Sequence, residues 1–407
     1  MNKKIIVVGG GAAGMMAALS AKRSGSDVII LEKNDRVGKK LLATGNGRCN
    51  YTNRNLTINN YHGNNPKFAN SALSQFNVDN TIDFFERLGI TPAVEDNGKV
   101  FPLSFQSSSM LDILRYEIEE SSVELITEAH VSSIKKKKRF IVTLKDKRTF
   151  EGDRVILATG GMALPSSGSD GNGYSLAKSF GHSVITPFPG LVQLKLESNF
   201  LKSLDGVKFQ GVAGVYVDNK KVLEDNGDIL FTSYGISGPP ILQLSRTALA
   251  FINKGKTVEL KISIIQTKTE EELFEYLINR FNLMPKKNID IGLIGLINKR
   301  LIIPILKEVN IDRDKKVANL SKDEIRRLAK ILTSWVFKVT GSQSWGNAQV
   351  TAGGVNTDEI NSSTLESKLV EGLYIVGELL DIDGDCGGFN LQWAWSSGYI
   401  AGLNAAL

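Results

Sequence analysis

IIVVGGGAAGMMAALSAKRSGSDVIILEK, Ile5 to Lys33, decides the fold. IIVVGG is a short β-branched run, AAGMMAALSAKRSG has helical apolar spacing and ends on glycine, and DVIILEK is a second strand. Together they make one βαβ unit of a parallel sheet. Gly9, Gly11 and Gly14 form GxGxxG between strand and helix. Glycines there permit a tight turn and let a pyrophosphate approach the helix N-terminal amides around Ala12 and Ala13. Glu32, followed by Lys33, ends the second strand 18 residues beyond Gly14. A carboxylate at that point accepts hydrogen bonds from adenosine ribose hydroxyls and disfavours a 2′-phosphate, so the site suits FAD or NAD rather than NADP.

The far end of the chain chooses between those two. GLYIVGELLDIDGDCGGFNLQWAWSSGYIAG, Gly372 to Gly402, has a strand ending at Gly377 and Glu378, then Asp383, then Gly387 and Gly388 opening a helix at Phe389, Asn390 and Leu391. A second helix N-terminus at the same ligand supplies partial positive charge and backbone donors, where a reduced flavin gathers negative charge. A nicotinamide dinucleotide has no use for that, so the cofactor is expected to be FAD, held tightly and non-covalently. Glu378 or Asp383 meets the ribityl or phosphate region, or else caps a helix or turn.

Between these ends the 407 residues leave room for inserted modules, since single domains usually run ~100 to 200 residues. Helical spacing covers Pro66 to Leu88 and Ser109 to Glu120, and strands are expected at Val123 to Ile126, Val131 to Ile134, Phe140 to Leu144 and from Arg154 into a glycine turn at Gly161. From about Pro189 to Ile265 the pattern is short strands with Gly and Asp-Asn turns; Thr269 to Ser334 is mostly helical and basic; Phe389 to Leu407 reads as one helix. The expected fold class is α/β: an FAD-binding Rossmann-type core of the two-dinucleotide-binding type over 1–188 and 346–407. It is interrupted by a β-rich domain over 189–266 and 335–345 and a small helical domain over 267–334.

Composition is that of a soluble globular chain, with 42% apolar residues and no apolar run near the ~18 that span a bilayer. Three glycines interrupt the only leader-like stretch, at the start, so neither a signal peptide nor a membrane partner is expected. Two cysteines, Cys49 and Cys386, make no disulfide framework and fit a cytoplasmic setting. No residues have metal-ligand spacing. From Gly346 onward there are eight acids and one lysine, so the rest carries about +13 against a total of +6. The basic clusters are Lys135 to Arg139 and the stretch from Lys286 to Lys330. They form a solvated face or meet an anionic partner, RNA included; DNA is not expected.

At GGGAAG from Gly9, GKKLLATGNGRCNYTN from Gly38, ATGG from Ala158, LFTSYGISGPPILQLSR from Leu230 and the terminal segment, nearly the whole chain resembles the bacterial HI0933-like flavoproteins. These are often labelled aminoacetone oxidase or BaiN-like FAD-binding proteins. The resemblance implies that the loop from Lys39 through Lys40 to Asn50 passes along the flavin, with Asn46, Gly47, Arg48, Cys49 and Asn50 nearest it. The residues suit that role, because Gly45 and Gly47 let backbone approach a planar ring while Lys40 and Arg48 can neutralise phosphate or reduced flavin. It also implies that Val131 offers backbone to the adenine and that Ala158, Thr159, Gly160 and Gly161 pack beneath the cofactor.

Flavin accepts or delivers hydride at N5, so the protein need supply only orientation, a proton source and exclusion of water. Arg48, Cys49 and Cys386 are the candidate catalytic residues; the histidines, His62, His130 and His182, lie outside the motifs and read as structural or solvated. A second complete GxGxxG domain is absent, so NAD(P)H is expected to visit transiently as electron donor. The expected activity is FAD-dependent reduction of a conjugated C=C bond in a small molecule. The alternatives are reduction of a pyrimidine base in RNA through the basic helical insert, giving a dihydrouridine-type product, and flavin-dependent amine oxidation. Oligomeric state is not readable.

Overall fold

The computed structural model describes residues 2–95 and 97–407. The chain forms two compact units, one built from the residues up to Pro189 with Ala348–Leu407 and the other from Gly190–Asn347. The first strand, Lys4–Val8, lies in the middle of a five-stranded sheet ordered Leu373–Ile375, Arg154–Leu157, Lys4–Val8, Asp27–Leu31, Glu124–Ile126. Every pairing in it is parallel. Ile5, Ile6, Val7, Val155, Ile156 and Leu157 are fully buried, as expected of parallel strands covered on both faces. Parallel strands end at one edge, so Gly9, Glu32, Ala158 and Gly377 all emerge there, the edge at which such sheets bind ligands.

Two helices cover this sheet together, Ala12–Arg23 and Phe389–Ala406. A Cβ at Gly398 would stand 2.3 Å from the carbonyl oxygen of Ala13, and one at Gly402 2.2 Å from that of Ala17. Backbone therefore meets backbone, and only glycine fits. The terminal helix is buried around most of its circumference, and its polar side chains are spent on neighbouring loops. Gln392 accepts from Thr52 Oγ1 (2.5 Å) and donates to Thr81 Oγ1 (2.7 Å). Trp395 Nε1 donates to the Tyr51 carbonyl and Trp393 Nε1 to that of Gly377, each at 3.0 Å. Buried polar groups need such partners, so the helix fixes the loops it touches.

In the second unit, six strands close an antiparallel barrel, in the order Leu194–Glu197, Gly235–Ser237, Lys220–Thr232, Lys208–Val217, Val258–Ser263, Trp335–Ser342. Phe231 packs against Phe209, Trp335 and Phe337. The sequence reading of short strands here needs two corrections. Strands Lys208–Val217 and Lys220–Thr232 are 10 and 13 residues long, joined at Asp218 and Asn219 with φ of 50° and 61°, the left-handed pair of a tight hairpin. Pro239–Asn253 is a 15-residue helix. Its Pro-Pro start looks like a turn, yet proline at the first helical positions sacrifices no hydrogen bond. Helices Glu270–Asn282, Lys299–Glu308 and Lys322–Thr333 belong to the same unit. Among the described residues, no helix is long and apolar enough to cross a membrane.

Gly398→Ala isolates the helix contact. Alanine favours a helix interior by ~0.5–1 kcal/mol, but overpacking costs ~1–3 kcal/mol or more. We expect a lower urea midpoint with unchanged slope; a raised midpoint would mean that the two backbones are not in contact.

Candidate functional site

The glycine turn is built for close approach. Gly9 has φ +105°, and a Cβ there would lie 2.5 Å from the Ala158 carbonyl oxygen; one at Gly14 would lie 1.9 Å from that of Gly9. Gly11, by contrast, faces open space within 4 Å and caps the helix without any side-chain bond. The first amides, at Ala12 and Ala13, are thus left for a ligand. Glu32 is buried. Its Oε2 accepts from Gly10 N (2.7 Å) and its Oε1 from Asn34 N and Nδ2 (2.8 Å each), which holds the carboxylate in place beside the turn.

Along the same edge an open cleft of about 380 Å³ is lined by His130, Ser132, Lys145, Asp170, Gly171 and Asn172. It flanks Val131, whose carbonyl accepts from Asn172 Nδ2 (3.2 Å). Partial burial, with Lys145 and Lys33 nearby, holds His130 below the usual imidazole range. Lys33 itself pairs with Asp170 (2.7 Å) and Lys39 with Asp35 (2.7 Å).

The loop after Gly38 splits into an exposed and a buried half. Gly45, Asn46, Gly47 and Cys49 all take positive φ, and Gly45 to Arg48 lie at the surface. Arg48 lies 4.5 Å above the Phe101 ring and pairs with Glu95 (3.1 Å). Cys49 is fully buried, and burial pushes its thiol up to about 12. It is a neutral thiol at physiological pH, which tells against a thiolate role. Cys386 is exposed, and neither cysteine is in a disulfide. Asn50 is also buried, and its Oδ1 has no hydrogen-bond partner.

Lys40 forms an ion pair with Glu378, whose Oε1 accepts from Thr351 N (2.7 Å). Thr351 Oγ1 in turn accepts from Met162 N and Ala163 N (2.8 and 3.0 Å), which braces the turn of Ala158, Thr159, Gly160 and Gly161. A Cβ at Gly160 would come within 2.8 Å of Ser169 Oγ, another buried atom without a partner. Near Glu378, the Tyr174 hydroxyl is unpartnered too; burial, then the charges of Glu378 and Asp381, raise its pKa.

Gly377 (φ +65°) sits against Ala13, and Asp383 is buried with its backbone bridged to His62. Asn390 ties back to Gly384 through both amide atoms (2.8 and 2.7 Å). Gly388 caps the terminal helix, Phe389 and Leu391 included, with φ +100° and no side-chain bond. A Cβ there would strike the Thr52 carbonyl oxygen at 2.5 Å and Asn50 Oδ1 at 2.8 Å. The sheet edge therefore gathers two helix N-termini without side-chain caps, a buried acid beside the glycine turn, a cleft at Val131 and buried polar atoms awaiting partners. These features fit an extended dinucleotide such as FAD.

A family model described as the HI0933-like protein Rossmann domain matches residues 3–404. The chain belongs to the HI0933-like family. It is similar to the 3-dehydro-bile acid delta(4,6)-reductase of Clostridium scindens, at 37% identity over 96% of both chains. It is also similar to the ribosomal RNA dihydrouridine synthase of Haemophilus influenzae, at 31% identity over 95% of this chain and 94% of the other. An open flavocytochrome c3 fumarate reductase structure shares the fold, with a TM-score of 0.50 and 17% identity over 100% of this chain and 78% of the other. This HI0933-like protein is an oxidoreductase.

Sequence reading missed Thr351, Ser169 and Asn172, which carry no motif of their own. It also read all three histidines alike. His182 is a buried strut between Glu359 (2.9 Å) and Ser367 (2.8 Å), whereas His62 pairs with Asp385 of the terminal motif.

Gly388→Asp should abolish flavin retention, since bulk and negative charge enter where the helix end is closed by Thr52 and Asn50; a variant purified with a full flavin spectrum would refute this. Iodoacetamide on the native protein should modify Cys386 alone, and both cysteines once urea is added. Native labelling of Cys49 would contradict its burial.

Proposed function

We propose that this oxidoreductase is an FAD-dependent reductase of a C=C bond conjugated to a carbonyl in a small molecule, drawing electrons from NAD(P)H. The observation that carries the reading is the 37% identity, across 96% of both chains, with a protein named for reducing such bonds. The edge of the sheet suits the cofactor it requires. Ala12 and Ala13 amides would meet the pyrophosphate, Glu32 the adenosine ribose, Val131 the adenine, and Glu378 the ribityl chain.

Bound FAD supplies hydride transfer at N5. The chain's own part is to hold and tune the ring. The amides at the start of the terminal helix after Gly388 would face the region where electron density rises on reduction, while Lys40 is held by Glu378. Asn50 Oδ1 offers an acceptor beside that helix end. Gly47, with open space around it, would leave that side of the loop open to an incoming donor or substrate.

The name of the second relative favours another reading, an RNA pyrimidine as substrate. The two activities share their chemistry, because dihydrouridine is uridine with its ring C=C bond saturated. The basic insert adds little to that reading where its charges are paired: Arg313 with Asp290, Lys315 with Glu324 and Arg326 with Glu271. Lys286 and Lys287 stay exposed.

Anaerobic reduction of the purified yellow protein by NADH and by NADPH, followed at the flavin band, separates the cases. We expect reduction by one of the two and fast reoxidation by small conjugated enones. Reoxidation that depends on RNA would move the pyrimidine reading to first place. Reoxidation by oxygen alone, with reduction by amines, would make it an oxidase.

A further inference from the structure

The reaction proposed above needs a proton as well as a hydride, and neither Arg48 nor Cys49 is placed as a donor. Arg48 is engaged by Glu95 and Phe101, and the Cys49 thiol is sealed from solvent. A better arrangement lies in the short antiparallel pairing of Tyr61 and His62 with Gly384 and Asp383. There His62 Nε2 stands 2.7 Å from Asp385 Oδ1. Asp385 is itself positioned: its Oδ2 accepts from Asn60 Nδ2 (3.2 Å), its amide donates to the Asn60 carbonyl (2.9 Å), and its carbonyl accepts from Asn390 Nδ2 (3.2 Å). The loop is clamped further, because Tyr61 Oη donates to the Phe389 carbonyl (2.9 Å) and Asn64 N to Asp381 Oδ2 (2.8 Å). About a third of the His62 side chain remains exposed, and no hydrogen bond engages Nδ1 among the described residues.

We propose that His62, held by Asp385, is the proton donor of this site. The inference rests on the reading of the protein as a reductase of conjugated C=C bonds. A carboxylate on one imidazole nitrogen fixes the ring and stabilises the imidazolium, leaving the other nitrogen to act on substrate. Asp385 lies in the segment between Glu378 and Gly388, the two points proposed to grip the flavin. The Asn390 amide that holds the Asp385 carbonyl belongs to the first turn of the helix proposed to meet the flavin.

The step balances as follows. The β-carbon of the substrate takes hydride, two electrons and a hydrogen nucleus, from the reduced cofactor. The C=C π pair shifts toward the carbonyl, and the α-carbon takes a proton from Nδ1 of the His62 imidazolium. One C–H bond forms at each carbon, and the C=C π bond is lost. His62 is left neutral, its Nε2–H still hydrogen-bonded to Asp385, and Nδ1 is reprotonated by water. The nicotinamide donor restores the two electrons to the cofactor. His62 is a catalytic residue in this scheme and Asp385 a positioning residue.

The test separates the two half-reactions of the flavin-loaded enzyme by stopped flow. His62→Gln should slow reoxidation by the enone about 100-fold or more, while reduction by the nicotinamide donor changes less than about 3-fold. Asp385→Asn should slow the same half-reaction about 10-fold, with Asp385→Glu recovering part of the loss and His62→Ala responding to added imidazole. Unchanged reoxidation in His62→Gln, or equal losses in both half-reactions, would overturn the proposal. A second readout needs no substrate: ¹H–¹⁵N NMR should show the His62 Nε2–H, hydrogen-bonded to Asp385, at a downfield position that moves upfield in Asp385→Asn. An unmoved resonance would also overturn the proposal. Wild-type protein that reduces no conjugated bond would instead end the functional reading, leaving the resonance to judge the pair.

Discussion

The contact between two helix backbones, Gly398 on Ala13 and Gly402 on Ala17, is the constraint on which the cofactor site depends. It sets the terminal helix at one height and one angle against the first helix. Everything the terminal helix then holds follows from that placement: Tyr51 through Trp395, Thr52 and Thr81 through Gln392, Gly377 through Trp393. A side chain of any size between the helices would move these loops together. The aromatic and amide groups on the terminal helix therefore serve as rivets for backbone rather than as core filling alone.

Three of the buried polar atoms without partners belong to the segments that build this edge. Asn50 Oδ1 lies at the start of the terminal helix and Ser169 Oγ beside Gly160, while the charge of Glu378 acts on the Tyr174 hydroxyl. Burying such groups costs ~1–3 kcal/mol each unless something completes them. A bound dinucleotide offers many acceptors and donors along that edge. The Lys40 and Glu378 pair meanwhile keeps two opposite charges satisfied within the cradle. Stability and ligand affinity are consequently linked through the same atoms.

The parts of the fold legible in the sequence were those governed by local rules. Gly9, Gly14 and the alternation of strand and helix around them declare a βαβ turn, since a Cβ at either glycine would collide with backbone. The terminal helix was legible from its length. Pro239–Asn253 was missed because a proline pair marks both turns and helix starts. The partners of Thr351, Asn172 and His62 were out of reach for another reason. Each meets residues from distant stretches of chain, and no periodicity records such a meeting. Asp385 stood in a quoted motif, yet nothing in its neighbours foretold an imidazole.

The sheet order has a consequence for how the protein acquires its cofactor. Leu373–Ile375 joins the sheet next to Arg154–Leu157, and the final helix then lies on the first. The barrel unit, Gly190–Asn347, is spun out between Arg154–Leu157 and Leu373–Ile375. During synthesis the glycine turn and Glu32 emerge early but must wait, half-covered, for the last segment to arrive. Contacts so far apart in sequence close slowly, after the loop between them has paid its entropy. A nascent chain can thus display the phosphate-binding half of the site long before it can retain a flavin, and cofactor capture becomes a late checkpoint on completion of the fold.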